Sequence, residues 1–300
     1  MARAYSLIAP LMLTGLFLSQ SVVAQTERPS PWIFTANALG AHQSEADMTD
    51  TGGSFNVDRW FVNAGVTFAW SARTSIGVIV GGGEAVYEFD GNRFGGDWWS
   101  DIEDKRVSVV GRIGFGETGV LTILPTFRDN AEQGASDGDT FGLFAAATWR
   151  LSDTLTIGPG VGVFSRLEDS TRVFPVLAID WDITDRWNLA TGNGVGSSQG
   201  AGLTLQYKLS DVWSFGLTGR YEDLEFRLDN KGIAPGGIGR EQSFPLVVSA
   251  QLKPNRHLKF AVFAGASLMG KLEAKGLSGY RLETDYDPAL LVGASAEIRF

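Results

Sequence analysis

The sequence contains no cysteine, and after its first two dozen residues it has no apolar run approaching the roughly 18 residues of a membrane helix. The missing cysteine excludes disulfides, thiolate metal sites and a lipid-modified N-terminal cysteine. The missing run means that any further membrane crossing must be made by strands. No clustered stripe of basic residues is visible either, and the net charge of −9 argues against nucleic acid as a partner.

Glycine and aromatic residues are abundant instead, with 38 Gly, 19 Phe and 9 Trp. This mixture is rich in strand formers and predicts an all-β chain. From Trp32 onward, runs of about ten residues alternate between an apolar and a mixed face, as in residues 141–151, 203–209 and 246–252. A soluble β-sandwich alternates in the same way, so alternation alone does not separate it from a membrane barrel.

The N-terminus has the three-part organisation of a secretory signal peptide. Arg3 precedes an apolar run from Tyr5 to Leu18, and the small residues Val22–Ala24 follow. A single membrane helix is the alternative, but the run is shorter than the roughly 20 residues that a span needs. The sequence therefore predicts a signal peptide at 1–24, cleaved near Ala24, and one further domain at 25–300.

The breaks between the alternating runs are short and long in turn, which is typical of bacterial outer-membrane barrels with short periplasmic turns and long extracellular loops. Three breaks share a hydroxyl and a carboxylate that can bond the local backbone, in Leu151-Ser-Asp, Ile183-Thr-Asp and Leu209-Ser-Asp. The predicted short turns are Ser71–Thr74, Glu117–Thr118, Ser152–Thr154, Thr184–Arg186, Ser210–Val212 and Pro254–His257. The predicted long loops, several of them acidic, are Gln43–Asp58, Asp90–Asp104, Asn130–Asp139, Asn230–Glu241 and Met269–Pro288.

Aromatic residues are sorted by strand end, which a soluble protein has no reason to do. The short turns are flanked by tryptophans that predict a periplasmic girdle: Trp70, Trp149, Trp181, Trp187 and Trp213. An outer girdle is predicted from Trp60, Tyr87, Phe89 and Tyr221. The last run alternates cleanly from Leu290 to Phe300, and a final strand ending in Phe resembles the signal that outer-membrane proteins present to the barrel assembly machinery.

We therefore predict an all-β fold, a single antiparallel up-and-down transmembrane β-barrel of about 14 strands, with 12 strands as the alternative. Gly81–Gly83 predicts a bulge or kink in the third strand. The predicted strands begin at Trp32, Arg59, Thr74, Arg106, Val120, Asp139, Leu155, Arg172, Trp187, Gly200, Val212, Glu241, His257 and Ala289.

Charged residues on the mixed face of these strands cannot face lipid cheaply, so they are predicted to line the lumen. They form either a hydrated pore with an electrostatic filter or a salt-bridge network that fills a closed barrel, and both interpretations stay open. In a pore, the excess of arginine and lysine would favour anions. The candidates are Arg112, Arg128, Arg150, Arg166, Lys208, Arg220, Asp180, Asp182, Glu222, Glu297 and Arg299.

Motifs that would carry chemistry are weak. Gly114, Gly116 and Gly119 match the dinucleotide-binding spacing G-x-G-x-x-G, but a strand-like segment follows where that site needs a helix. The two histidines, His42 and His257, are expected at opposite membrane faces, so they cannot share a Ser-His site. We expect no enzyme activity, no cofactor and no metal.

The stretch 166–187, with Tyr221, the segment Phe226–Asp229 and the ending Asp285–Pro288, resembles an uncharacterised family of Gram-negative outer-membrane β-barrels classed as a domain of unknown function. The resemblance covers about the C-terminal two-thirds and implies a barrel in the cell envelope without an established substrate. Fourteen-stranded fatty-acid transporters have an N-terminal plug, whereas few residues here separate Gln25 from the first strand, so a plugged transport mechanism is not expected.

From these observations we expect an outer-membrane channel or passive transporter of small, in one interpretation anionic, solutes. The alternatives are a structural or adhesive surface barrel acting through acidic extracellular loops, and a lipid-modifying barrel enzyme. Expected partners are outer-membrane lipid, lipopolysaccharide and, through Phe300, the assembly machinery. The oligomeric state is left open.

Overall fold

The computed structural model of the chain describes residues 30–91, 93, 97–167, 171–192 and 202–300. The predicted signal peptide, its cleavage near Ala24 and the predicted strand start at Gly200 lie outside the described residues. Within the described part, no helix is long and apolar enough to span a membrane.

The described residues form sixteen β segments. They are β1 (Trp32–Asp47), β2 (Ser54–Ala69), β3 (Ser75–Asp90), β4 (Ile102–Phe115), β5 (Gly119–Glu132), β6 (Asp139–Arg150), β7 (Leu155–Phe164), β8 (Arg172–Asp182), β9 (Trp187–Thr191), β10 (Gly202–Lys208), β11 (Trp213–Arg220), β12 (Glu222–Arg227), β13 (Ile238–Leu252), β14 (Leu258–Lys275), β15 (Arg281–Tyr286) and β16 (Ala289–Arg299).

Fourteen of these segments form one closed antiparallel barrel. β1 to β11 pair in chain order, β11 pairs with β13, β13 with β14, β14 with β16, and β16 closes the barrel on β1. β12 continues β11 along the same partner β13, and β15 leads into β16 along β14. The predicted all-β, fourteen-stranded up-and-down barrel is confirmed.

The short turns all lie at one end of the barrel, which we call the periplasmic end. In three of them a hydroxyl oxygen accepts hydrogen bonds from the backbone, as the repeated motif predicts: Ser152 Oγ from Thr154 N (3.2 Å), Thr184 Oγ1 from Trp187 N (3.1 Å) and Ser210 Oγ from Trp213 N (3.0 Å). The G-x-G-x-x-G segment is one of these turns, with Gly116 at φ 52° between β4 and β5.

Outward side chains form an apolar belt, with Leu177, Val248 and Val262 between 56% and 60% exposed. On β2 the belt runs from Trp60 to Ala69, about the length of strand that crosses a bilayer core. The five predicted periplasmic tryptophans lie at the periplasmic edge of the belt and are all 38% to 63% exposed. The outward face of the barrel is therefore built to contact lipid.

At the end of the barrel opposite the short turns, the strands continue past the belt. There the outward residues are polar and the inward residues are apolar, the reverse of the arrangement within the belt. On β2, Val62 is 45% exposed, but Phe55 and Val57 are buried inside and Asp58 is exposed. An outward face that is polar and an inward face that is apolar indicate contact with water outside and a packed core within. We call this extension the turret; it comprises the described residues of 42–59, 84–106, 128–132, 222–243 and 270–289.

The turret corrects several predictions. Two predicted long loops, Gln43–Asp58 and Met269–Pro288, are largely strands of β1, β2, β14 and β15, whereas Asn230–Glu241 is a loop as far as Gly237 and joins β13 only at its end. Tyr87 and Phe89 do not belong to an outer girdle, because they pack inward in the turret core. Trp60 lies at the outer edge of the belt, where its Nε1 donates to Glu84 Oε2 at 3.1 Å.

The turret core is a cluster of buried apolar side chains contributed by both walls and by the connections β3–β4 and β12–β13. Trp98 and Trp99 are 1% and 2% exposed, and the Trp99 ring centroid lies 5.0 Å from that of Phe226. The cluster comprises Ala46, Met48, Phe55, Val57, Ala85, Tyr87, Trp98, Trp99, Ile102, Phe226, Leu228, Ala234, Leu272, Ala274, Tyr286 and Ala289. It closes the turret axis.

The predicted bulge at Gly81–Gly83 is wrong, because β3 keeps an unbroken register with β2 and β4. A Cβ at Gly81 would overlap the side chain of Asn63, and a Cβ at Gly83 would overlap the ring of Phe61. The glycines therefore make room for inward side chains of the neighbouring strand. The register shifts lie elsewhere, at Gln43/Ala46 on β1 and Gln242/Phe244 on β13.

A charge on the lipid face should cost far more than one on the neighbouring inward position. We expect Leu177→Arg, at an outward position in the middle of β8, to destabilise the barrel by about 2–4 kcal/mol. Val176→Arg, one residue away and inward, should cost less because water can reach it. Equilibrium unfolding in lipid vesicles measures both, and equal losses would contradict the assigned faces.

Candidate functional site

A buried ion pair crosses the interior where the belt meets the turret. Arg59 of β2 donates from NH2 to both carboxylate oxygens of Glu241 of β13, at 2.8 and 2.6 Å, and both side chains are at most 3% exposed. The hydroxyls of Tyr87 and Tyr286 also donate to Glu241, at 2.5 and 3.2 Å. Burial, with the Glu241 charge, raises the pKa of both tyrosines, so both stay protonated donors.

A second ionic group lies beside it on β4 and β5. Asp104, 3% exposed, is shared by Arg106 of its own strand and Arg128 of β5. The Arg106 guanidinium also lies 5.3 Å from the ring centroid of Phe61, in cation–π geometry. The two groups form a charged layer under the apolar turret core.

β12 leaves the barrel wall after Arg220 and crosses toward β5. One edge pairs with β13, while the other makes a parallel bridge between Arg227 and Ala131 of β5. The Asn130 amide also donates to the Glu225 carbonyl at 2.8 Å. The turret is thereby closed by fewer strands than the barrel below it, and β6–β11 end outside it.

We call the outer ends of β6–β11, together with β12 above them, the side rim. Two inward phenylalanines, Phe164 of β7 and Phe174 of β8, stack there with centroids 5.6 Å apart. Glycines opposite them, Gly142 and Gly162, leave the space that the two rings fill. Phe164 is 38% exposed, so the rim is accessible to solvent.

The periplasmic half of the interior carries small and polar side chains. Thr204 and Thr218 share a hydrogen bond of 2.9 Å, and the Gln206 amide donates to Gln251 Oε1 at 3.2 Å. Across the register β6–β7–β8, Arg150, Thr156 and Asp180 lie side by side. Hydroxyl and amide groups on this face bond one another, while Leu39, Phe61, Val247 and Phe263 pack into a separate buried apolar cluster inside the barrel.

The predicted lumenal residues fall into two groups by height. Near the charged layer and the side rim lie Arg128, Arg166, Arg220 and Glu222. Toward the periplasmic end lie Arg112, Arg150, Lys208, Asp180, Asp182, Glu297 and Arg299. By register, those on strands share the inward face: Arg112 lies opposite Ser75, and Glu297 lies between Asn37 and Lys259.

The partners of these residues differ from a simple pairing within the predicted set. Arg128 binds Asp104, and Arg166 binds Glu225, at 2.8 Å in the second case. Asp180 and Asp182 both accept from the amide of Asn188, at 2.8 and 3.0 Å.

Sequence reasoning missed the centre of the charged layer. It placed Asp104 and Glu241 at loop ends, and Arg59 was marked only as the first residue of a strand. The missed residues are Arg59, Asp104, Arg106, Asp223, Glu225, Arg240 and Glu241. These residues could be found from the position along each strand at which the apolar residues change from the outward to the inward face. A charged inward residue at that position lies inside the barrel, directly beneath the apolar turret core.

The two histidines lie far apart in the barrel. His42 bonds Asp58 at 2.8 Å near the outer edge of the belt, and His257 bonds the Arg299 carbonyl at 2.7 Å at the periplasmic end. Among the residues that the structure describes, no group of three or more His, Asp or Glu is arranged to hold a metal ion.

Comparisons with known proteins agree with this fold. No family model matches the chain, and no curated protein matches its sequence. Among solved structures, an outer membrane channel from Pseudomonas putida F1 is similar over 93% of this chain and 100% of its own, with TM-score 0.50 and 10% identity. A FadL homologue from Pseudomonas aeruginosa is similar over 89% and 90%, with TM-score 0.51 and 11% identity. At these identities the likeness concerns the fold.

Proposed function

We propose that this chain is a channel for small solutes in the bacterial outer membrane, and that its route leaves the barrel at the side rim. The observation that carries the route is the path of β12, which separates the turret from β6–β11 by joining β5. The turret axis is filled by the aromatic core, so it offers no passage. The Pseudomonas putida F1 barrel of similar fold is described as an outer membrane channel, which supports the same role here.

The ionic groups support a channel that is closed along the turret axis and hydrated along the route from the periplasmic end to the side rim. Arg59 and Glu241 are fully buried and bound to each other, as a structural network requires. Arg112 and Arg150 have no carboxylate within ion-pair distance among the described residues, and they face the periplasmic end. On this proposal, the salt-bridge network occupies the outer height of the barrel and the hydrated pore its periplasmic height.

The alternatives have weaker support. A surface adhesin acting through long acidic loops loses part of its basis, because one of those loops, Gln43–Asp58, is largely formed by turret strands. A lipid-modifying enzyme would need a base beside a nucleophile, and the two histidines lie at opposite ends.

We also propose the partners of the barrel from its exposed surfaces. Phe300, 64% exposed, stacks on His257 with centroids 5.5 Å apart and hydrogen-bonds its backbone to Phe34. This exposed terminal ring is available to the barrel assembly machinery. The apolar belt is available to outer-membrane lipid and, on its outer side, to lipopolysaccharide.

The route can be tested by placing one cysteine in a chain that has none. We expect Phe164→Cys, at the side rim, to keep conductance in planar bilayers and to lose most of its current after reaction with a bulky thiol reagent. Glu283→Cys, on the outer face of the turret, should react equally well and keep its current. Loss of current in both variants or in neither would reject the side route, and a wild-type protein without conductance would reject the channel.

A further inference from the structure

The two faces of β12 have different chemistry. Leu224 and Phe226 alternate toward the turret core, where Phe226 is 1% exposed. Asp223 and Glu225 lie on the opposite face, toward the side rim, and each side chain is 13% exposed. β12 therefore presents two carboxylates above the proposed entrance.

Two arginines from the rim bind these carboxylates. Arg166, just beyond β7, donates from Nε to Glu225 Oε2 at 2.8 Å, and Arg172, the first residue of β8, pairs with Asp223. Their side chains remain 24% and 40% exposed, so solutes can reach both guanidinium groups from outside.

The carboxylate that pairs with Arg172, Asp223, is also bound by a second arginine through two hydrogen bonds. Arg240 of β13 binds Asp223 as a fork, with its Nε and NH2 donating to the two oxygens at 2.7 and 2.8 Å. Because Asp223 keeps both of these charge-assisted bonds when Arg172 leaves, release of Arg172 exposes a guanidinium without stranding a carboxylate.

We propose that Arg166 and Arg172 form an entry site for carboxylate-bearing solutes, which compete with Glu225 and Asp223 for the two guanidinium groups. Guanidinium binds a carboxylate through paired hydrogen bonds, so the side chains of β12 occupy the site as an incoming acid would. The inference deepens the proposed channel function, and its role in transport rests on that function, although binding itself does not.

The test measures binding of succinate to the refolded full chain in detergent by calorimetry, at low ionic strength because salt screens the contact. Wild type should bind succinate and not the uncharged succinamide. The double variant Arg166→Gln, Arg172→Gln should bind succinate at least about tenfold more weakly, since each lost charge-assisted bond is worth a factor of that order. Arg281→Gln, an exposed arginine of the turret, is the matched control and should bind as wild type does.

Glu225→Gln separates a binding site from a structural clasp. It removes Glu225 as a competitor for Arg166 and should tighten succinate binding several-fold, whereas a merely structural pair would make Glu225→Gln and Arg166→Gln act in the same direction. Unchanged binding in the double variant, no binding by wild type, or weaker binding in Glu225→Gln would overturn the proposal. Conductance of the same samples is read separately, so that succinate binding without current rejects the channel and leaves the site standing.

Discussion

Glu241→Gln should destabilise the barrel by about 3–5 kcal/mol, because the Arg59 guanidinium would be left buried without its counter-charge. Arg59 is 2% exposed at its side chain, so bulk water does not hydrate the charge. The cation–π contact with Tyr87, at 5.8 Å from Arg59 Cζ to the ring centroid, compensates only a fraction of that loss. Equilibrium unfolding by denaturant in lipid vesicles gives the free energy directly.

A double variant provides the control. Arg59→Met combined with Glu241→Met removes both charges and keeps most of the volume, so it should be much closer to wild type than either single change. Glu283→Gln, which breaks exposed ion pairs of the turret surface, should change stability by at most about 1 kcal/mol. A Glu241→Gln variant as stable as Glu283→Gln would show that the pair is not buried as described.

Trp99→Ala should cost about 3–5 kcal/mol, and the loss should be confined to the turret. Trp99 is 2% exposed and contacts the rings of Tyr87, Phe89, Trp98 and Phe226, with centroids 5.0 to 5.9 Å apart. Those rings come from both turret walls, whereas β6–β11 contribute none of them. We expect limited proteolysis to cut the turret strands of the variant while the barrel stays folded.

Trp213→Ala removes a ring of the same size from the periplasmic girdle, where the side chain is 43% exposed. It should leave the turret resistant to protease. If Trp99→Ala unfolds turret and barrel together, the two parts form one cooperative unit and the separation drawn from β12 is incorrect.

The barrel was predictable because one physical rule governs every strand within the belt. Lipid outside demands apolar residues at alternate positions, and Leu177, Val248 and Val262 follow that rule. Strand number, turn positions and the outward face follow from it. The rule applies only as far as the bilayer reaches.

The turret was missed because its strands obey the opposite rule. Around Asp58 and Glu88 the outward residues are polar, as in a water-soluble protein, and a search for lipid-facing strands interprets them as loop. Period-two alternation nevertheless continues through Phe55 and Val57 with its phase reversed. The ion pairs could not be assigned from spacing, since Arg59 and Glu241 meet only after the barrel closes, 182 residues apart in sequence.

The contact between β12 and β5 has a consequence for the order of assembly. Asn130 and Glu225 are 95 residues apart, and closing a flexible loop of that length costs about 4 kcal/mol of chain entropy. Once β6–β11 stand in the closed barrel, that separation is already bridged by hydrogen-bonded strands and most of the cost has been met. We therefore expect the turret to fold last, so that resistance of its strands to protease would report that insertion is complete.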